Sequence, residues 1–154
     1  MEKEMKVIKK VLPPTYLLLA ILLIVALHFL YPVTTFIPLP WNLLGIGPIG
    51  FGIWVNLRAD QSLHRAQTTV KPFEEPAALI VDGAYGISRH PMYLGFVAIL
   101  IGVALLLGSL TPYLIVILFA VLMDVLFIRV EEQNLAQKFG TDWVAYKQKV
   151  RRWI

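Results

Sequence analysis

The chain has 154 residues and a net charge of +4; 58% of the residues are hydrophobic and only 16% charged, against an apolar share of about 45–50% in soluble domains. A single domain of this size has too high a surface-to-volume ratio to hide so much apolar surface from water. Cysteine is absent, which removes disulfides, thiolate metal sites and cysteine nucleophiles, and no metal is expected.

A mean hydropathy of +0.70 and a pI near 9.4 point to lipid as the solvent. The basic residues lie beside apolar runs, a placement suited to anionic headgroups rather than nucleic acid. Residues 1–10 are charged and polar, and Pro13-Pro14 mark the entry to a first apolar run, Val11 to Tyr31. That length covers the ~30 Å hydrocarbon core at ~1.5 Å per residue. The run is long for a signal peptide and lacks a small-residue cleavage site after it, so it reads as a true span.

Residues 32–42 are uncharged and carry three prolines, an external loop with Trp41 near the interface. The second span is predicted from about Leu43 to Leu57. Its glycines Gly45, Gly47, Gly50 and Gly52 suit close helix packing in lipid, or alternatively leave room for a cofactor. Residues 58–92 are more polar and include Arg58, Asp60, His64, Arg65, Lys71, Glu74 and Glu75. A third span is predicted over Tyr93 to Leu107. The turn from Gly108 to Pro112 offers Thr111 as an N-cap, with Pro112 at the first helical position. The fourth span, Tyr113 to Ile128, continues as a polar helix beyond Glu132.

All fourteen Lys and Arg fall in the N-terminal tail, the central segment or the C-terminal stretch, and the other two loops have none. By the positive-inside rule those three segments face the cytoplasm. The expected fold is an all-α polytopic membrane bundle of about four transmembrane helices, both termini cytoplasmic, forming one domain over residues 1–154. The inner membrane of a prokaryote is the expected location.

Two polar clusters flank the last two spans on the cytoplasmic side. The first runs from Asp82 to Gly95 and holds Arg89-His90-Pro91 at the start of the third span. Helix N-termini favour anions, so Arg89 and His90 either receive a carboxylate or anchor the span among headgroups. The second is Arg129-Val130-Glu131-Glu132. Arg129 and Glu132 are three apart and can form a surface pair. Asp124 sits deeper, either functional or a contact between helices, and His28 reads as a packing or interface histidine. Together the clusters could bind a small zwitterion.

The run Gly83-Ala84-Tyr85-Gly86-Ile87-Ser88-Arg89-His90-Pro91-Met92-Tyr93-Leu94-Gly95, followed after two spans by Arg129-Val130-Glu131-Glu132-Gln133-Asn134-Leu135, Phe139-Gly140 and Tyr146, resembles the isoprenylcysteine carboxyl methyltransferase and phospholipid methyltransferase superfamily of integral-membrane enzymes. The likeness covers about residues 69–154. It implies S-adenosylmethionine as methyl donor and a lipophilic or lipid acceptor at the cytoplasmic membrane face. By matching positions it implies that Leu79, Ile80, Tyr85, Arg89, His90, Pro91, Tyr93 and Glu131 bind the cofactor. Arg129 and Glu132 are implied as catalytic, Arg129 orienting an acceptor carboxylate and Glu132 sitting beside Glu131 at the cofactor's amino-acid end. Gly50-Phe51-Gly52 stands loosely where the phospholipid enzymes carry a glycine motif. Carboxyl methylation is favoured over lipid-amine N-methylation, and a non-catalytic membrane subunit of the same fold is the alternative from another class. Arg129 and Glu131 point about 200° apart on a helix, so they are expected to face different ligands.

Overall fold

A computed structural model describes residues 12–68 and 76–154. Lys3, Lys6, Lys9 and Lys10 of the tail, and Lys71, Glu74 and Glu75 of the central segment, lie outside the described residues. The described chain is all-α, with one isolated backbone bridge between Thr35 and Ser109.

Helix α1 (Pro13–Leu30) starts on its prolines and closes with the Tyr31 N–H on the Leu27 carbonyl. A 3-10 turn over Trp41–Gly45 leads into α2 (Ile46–Arg65). This helix runs two turns beyond the predicted limit of Leu57. Its buried residues Gly52, Val55, Ala59 and Leu63 keep a helical stripe going through a segment whose other side chains are polar. Helix α3 (Pro91–Leu107) ends at Gly108, whose φ of 71° is the left-handed cap a glycine supplies without strain. Helix α4 (Thr111–Met123) begins one residue earlier than expected. Thr111 is inside the helix rather than its cap, and its hydroxyl donates to the Tyr31 carbonyl at 2.5 Å. A π-helical turn, Asp124–Ile128, joins α4 without a break to α5 (Arg129–Lys149).

Among the described residues, two helices are long and apolar enough to cross a membrane: α1, with a mean hydropathy of 2.1, and the continuous helix from Thr111, with 2.5 in its best window. The apolar part of the second ends at Ile128, and α5 is polar. Helix α3 is equally apolar over 17 residues.

The core lies between α1, α3 and α4, around Ile24, Leu100, Phe119, Met123, Phe127 and Ile128. The opposite side of α1 exposes Leu18, Leu19, Leu22 and Leu23, as a lipid-facing surface does. Helix α2 and the 3-10 turn before it pack on α3 through glycine pairs at the same seven-residue spacing. A methyl at Gly52 would sit 2.4 Å from the Gly95 carbonyl oxygen, and one at Gly45 would sit 2.3 Å from that of Gly102. Close helix packing is therefore what these two glycines do. Gly47 and Gly50 face open space. At the far end the two uncharged loops interlock: His28 Nδ1 and Ser109 Oγ are 2.8 Å apart, and the Leu110 N–H donates to the Thr34 carbonyl.

Helix α5 is interrupted at Gly140, with φ 47° and ψ −112°. The chain beyond it folds back, so that Trp143, Tyr146 and Val150 pack on Leu79, Leu135 and Phe139. This return brings the C-terminal residues 150–152 against the turn that precedes α3.

Candidate active site

The turn is built from local sequence. Gly83, at φ 59°, opens a 3-10 turn over Gly83–Gly86. Ser88 is fully buried, and its hydroxyl accepts from the His90 N–H at 3.2 Å and donates to the Arg152 carbonyl at 3.1 Å. His90 is the residue before α3, and Pro91 fixes the backbone at the first helical position, where its missing N–H costs nothing.

Arg89 is buried. Its guanidinium donates to the carbonyls of Lys147 and Val150 at 3.2 Å each and to Glu132 Oε1 at 2.8 Å. It also stacks over the Trp143 ring at 5.7 Å. The cation thus satisfies carbonyls at the end of α5, where the helix dipole favours it. Tyr146 reinforces the junction by donating its hydroxyl to the Tyr85 carbonyl at 2.6 Å.

The two adjacent glutamates have different surroundings. Glu131 Oε1 accepts from the Tyr93 hydroxyl at 2.6 Å, and Oε2 lies 3.2 Å from His90 Nδ1. Glu132 is buried and meets Arg89, Arg152 Nε at 3.2 Å and Arg152 Nη2 at 2.5 Å. His90 Nε2 stands 3.5 Å from Glu132 Oε1 without a hydrogen bond, so the imidazole lies within charge contact of both carboxylates. Burial pushes the Glu132 carboxyl up, but the contacts from His90 and Arg152 and the charges of Arg89 and Arg152 outweigh it and hold Glu132 well below the usual carboxylate range. Burial likewise works against a charged His90, yet its contacts with Glu131 and Glu132 raise it above the ordinary histidine value.

A cavity of about 260 Å³ opens beside this network. All eight residues expected at the cofactor, namely Leu79, Ile80, Tyr85, Arg89, His90, Pro91, Tyr93 and Glu131, line it. Its lining combines polar groups, among them His90 and Glu131, with apolar ones: Leu12, Pro13 and Pro14 from the start of α1, Leu63 from α2, and Phe96.

The two residues expected to be catalytic are not among the lining. Glu132 lies behind the wall, surrounded by cations. Arg129 does not pair with Glu132; its Nε meets Asp124 Oδ2 at 2.9 Å, and its side chain is 60% exposed. The π turn explains this: five residues separate the pair, and the Arg129 N–H donates to the Asp124 carbonyl in the same i to i+5 pattern. Asp124 is a contact between segments, since its other oxygen accepts from Arg152 Nη1 at 3.0 Å. Sequence reasoning missed Arg152, Ser88 and the start of α1. Among four cations in residues 147–152, nothing in the pattern singles out the one that turns inward.

The phospholipid methyltransferase family matches residues 41–142. Protein-S-isoprenylcysteine O-methyltransferase of Saccharomyces cerevisiae is 43% identical over 79 residues, which is 50% of this chain and 32% of that protein. An uncharacterized protein of Haemophilus influenzae is 43% identical over 63 residues, 41% of this chain and 100% of that protein. The matched part thus spans about a third of the yeast relative's length. No solved structure matches the chain. With more than half of its length matched, the chain belongs to the phospholipid methyltransferase family of membrane methyltransferases.

Proposed function

We propose that the chain transfers a methyl group from S-adenosylmethionine to a lipophilic carboxylic acid at the cytoplasmic face of a membrane, and that the cavity beside His90 and Glu131 binds the donor. The observation that carries this reading is that the eight residues expected from the resemblance line one cavity, which combines polar and apolar groups. The donor set fits such a cofactor. Glu131 and His90 offer an anion and a cation to an ammonium and a carboxylate, and Leu79, Ile80 and Tyr85 offer flat apolar surface to a purine.

When bound, S-adenosylmethionine supplies an electrophilic methyl group. The protein's own contribution is alignment, which for a displacement of this kind supplies much of the rate. Tyr93 donates a hydrogen bond to one oxygen of Glu131 and His90 sets a charge contact at the other, which orders the carboxylate before any ligand arrives. Glu131 is the one carboxylate among the lining residues described, and both its oxygens already face protein partners. A carboxylate acceptor is already nucleophilic and needs no base, whereas an ammonium must first lose a proton. That difference favours carboxyl methylation, the reaction named for the yeast relative. The family's name favours the second reading, methylation of a phospholipid amine.

The test supplies methyl-labelled S-adenosylmethionine with either an isoprenylated cysteine derivative or phosphatidylethanolamine vesicles. A methyl ester releases its label as methanol in alkali, and an N-methyl group does not. Alkali-labile product from the first acceptor is expected. Alkali-stable product from the second alone would replace carboxyl with amine methylation, and no labelled product with either would overturn the reading.

We also propose four crossings, with both termini cytoplasmic. This rests on the absence of Lys and Arg from the loops at 31–40 and 108–110 and their abundance in the other segments. A reporter fused after Ile154 is expected to be active in the cytoplasm; activity outside would overturn the crossing number.

A further inference from the structure

We propose that Arg152, which lies beyond the stretch matched by the family, is a positioning residue for the His90–Glu131 pair and acts through Glu132. The inference rests on the reading that this pair faces the methyl donor.

The side chain of Arg152 is absent from the cavity lining, so it does not touch a ligand held there. What it touches is the carboxylate behind the wall. Arg89 reaches only Glu132 Oε1, and one such contact leaves the carboxylate free to turn about its last bond. Arg152 takes both oxygens, Nε to Oε1 at 3.2 Å and Nη2 to Oε2 at 2.5 Å. A planar fork of this kind fixes the plane of the carboxylate as well as its position. Oε1 is thereby placed 3.5 Å from His90 Nε2, a charge contact without a hydrogen bond, while the opposite ring nitrogen, Nδ1, lies 3.2 Å from Glu131 Oε2. The orientation of a cavity-facing carboxylate is thus set by a residue at the C-terminal end of the chain.

The fork is itself anchored. Its third nitrogen, Nη1, meets Asp124 Oδ1 at 3.0 Å, and Asp124 is held in the π turn by Arg129. The backbone of the tail is tied down by the Arg89 N–H donating to the Arg151 carbonyl at 3.0 Å and by the Ser88 hydroxyl donating to the Arg152 carbonyl. Lysine has neither the planar fork nor the reach to hold Glu132 and Asp124 at once.

The test measures affinity for S-adenosylmethionine and thermal unfolding on purified full-length protein. Variants are Arg152→Gln, Arg152→Lys, Glu132→Gln, the double Glu132→Gln/Arg152→Gln, and Lys149→Gln as an exposed control. Coupled residues in one network are non-additive. Arg152→Gln is expected to weaken binding by on the order of tenfold, Arg152→Lys by less, and Lys149→Gln not at all. The double variant is expected to be no weaker than Glu132→Gln alone, an outcome that a general loosening of the tail would not give. Folded Arg152→Gln with wild-type affinity, or effects that multiply in the double variant, would overturn the proposal. If Arg152→Gln does not fold, undiminished affinity in Arg152→Lys overturns it. Absence of binding by the wild type would instead overturn the proposed function, and this inference with it.

Discussion

Replacing Gly140 with alanine isolates the backbone's share in building the cavity. At φ 47° and ψ −112° the residue occupies a conformation that side chains with a Cβ rarely adopt. A methyl there would meet nothing within 4 Å, so the whole cost is backbone strain, about 1–3 kcal/mol. At ~1.4 kcal/mol per factor of ten, the folded-back arrangement should lose population by roughly five- to 150-fold. The segment released carries Trp143, Tyr146, Val150 and Arg152, and with them the carbonyls that hold Arg89. Two assays follow the loss: tryptic cleavage at Lys147, Lys149 and Arg151, expected to accelerate, and affinity for S-adenosylmethionine, expected to fall. Unchanged cleavage and affinity in Gly140→Ala would show that the return does not depend on this glycine.

The α2–α3 contact gives a contrast within one helix. Gly52→Ala forces a methyl against the Gly95 carbonyl and should lower stability by about 1–3 kcal/mol, whereas Gly50→Ala, facing open space, should be neutral or gain helix propensity; thermal unfolding in detergent compares them. Dependence on pH follows from two groups. His90 is raised above its usual 6.5, so its contribution is complete below 6.5 and is lost as pH rises through the raised value. Glu132 is depressed below its usual 4.5, so its contribution is complete above 4.5 and is lost as pH falls through the depressed value. The unfolding temperature should therefore drop on both sides of neutrality, and a His90→Gln variant that kept the alkaline drop would refute the assignment. Arg129→Lys should leave donor affinity unchanged, because Arg129 pairs with Asp124 away from the cavity; calorimetry showing a large loss would contradict this.

The apolar runs and the grouping of charge made α1, α3 and α4 legible, because lipid-facing helices carry their signal in composition. The polar extension of α2 was not, since Ala59 and Leu63 continue the buried stripe while Arg58, Asp60 and Arg65 dominate its hydropathy. The cavity residues were read through the Arg89-His90-Pro91 and Glu131-Glu132 motifs rather than through spacing. Their division of labour depends on the π turn, which resets the helical phase between Asp124 and Glu131 and directs Arg129 to Asp124. No local pattern marks a single inserted residue in an apolar helix. Arg152 was hidden for a different reason: its partners lie 20 and 28 residues away, joined to it by the reversal at Gly140.

The central question is whether the cavity beside Glu131 holds the methyl donor. Calorimetric titration of purified protein with S-adenosylmethionine, wild type against Glu131→Gln at neutral pH, addresses this directly. A hydrogen bond to a charged group contributes about 1.5–3 kcal/mol, so Glu131→Gln should bind roughly ten- to a hundredfold more weakly than the wild type while unfolding as a native protein. A wild type that does not bind, or a folded Glu131→Gln protein that binds as tightly as the wild type, would contradict it.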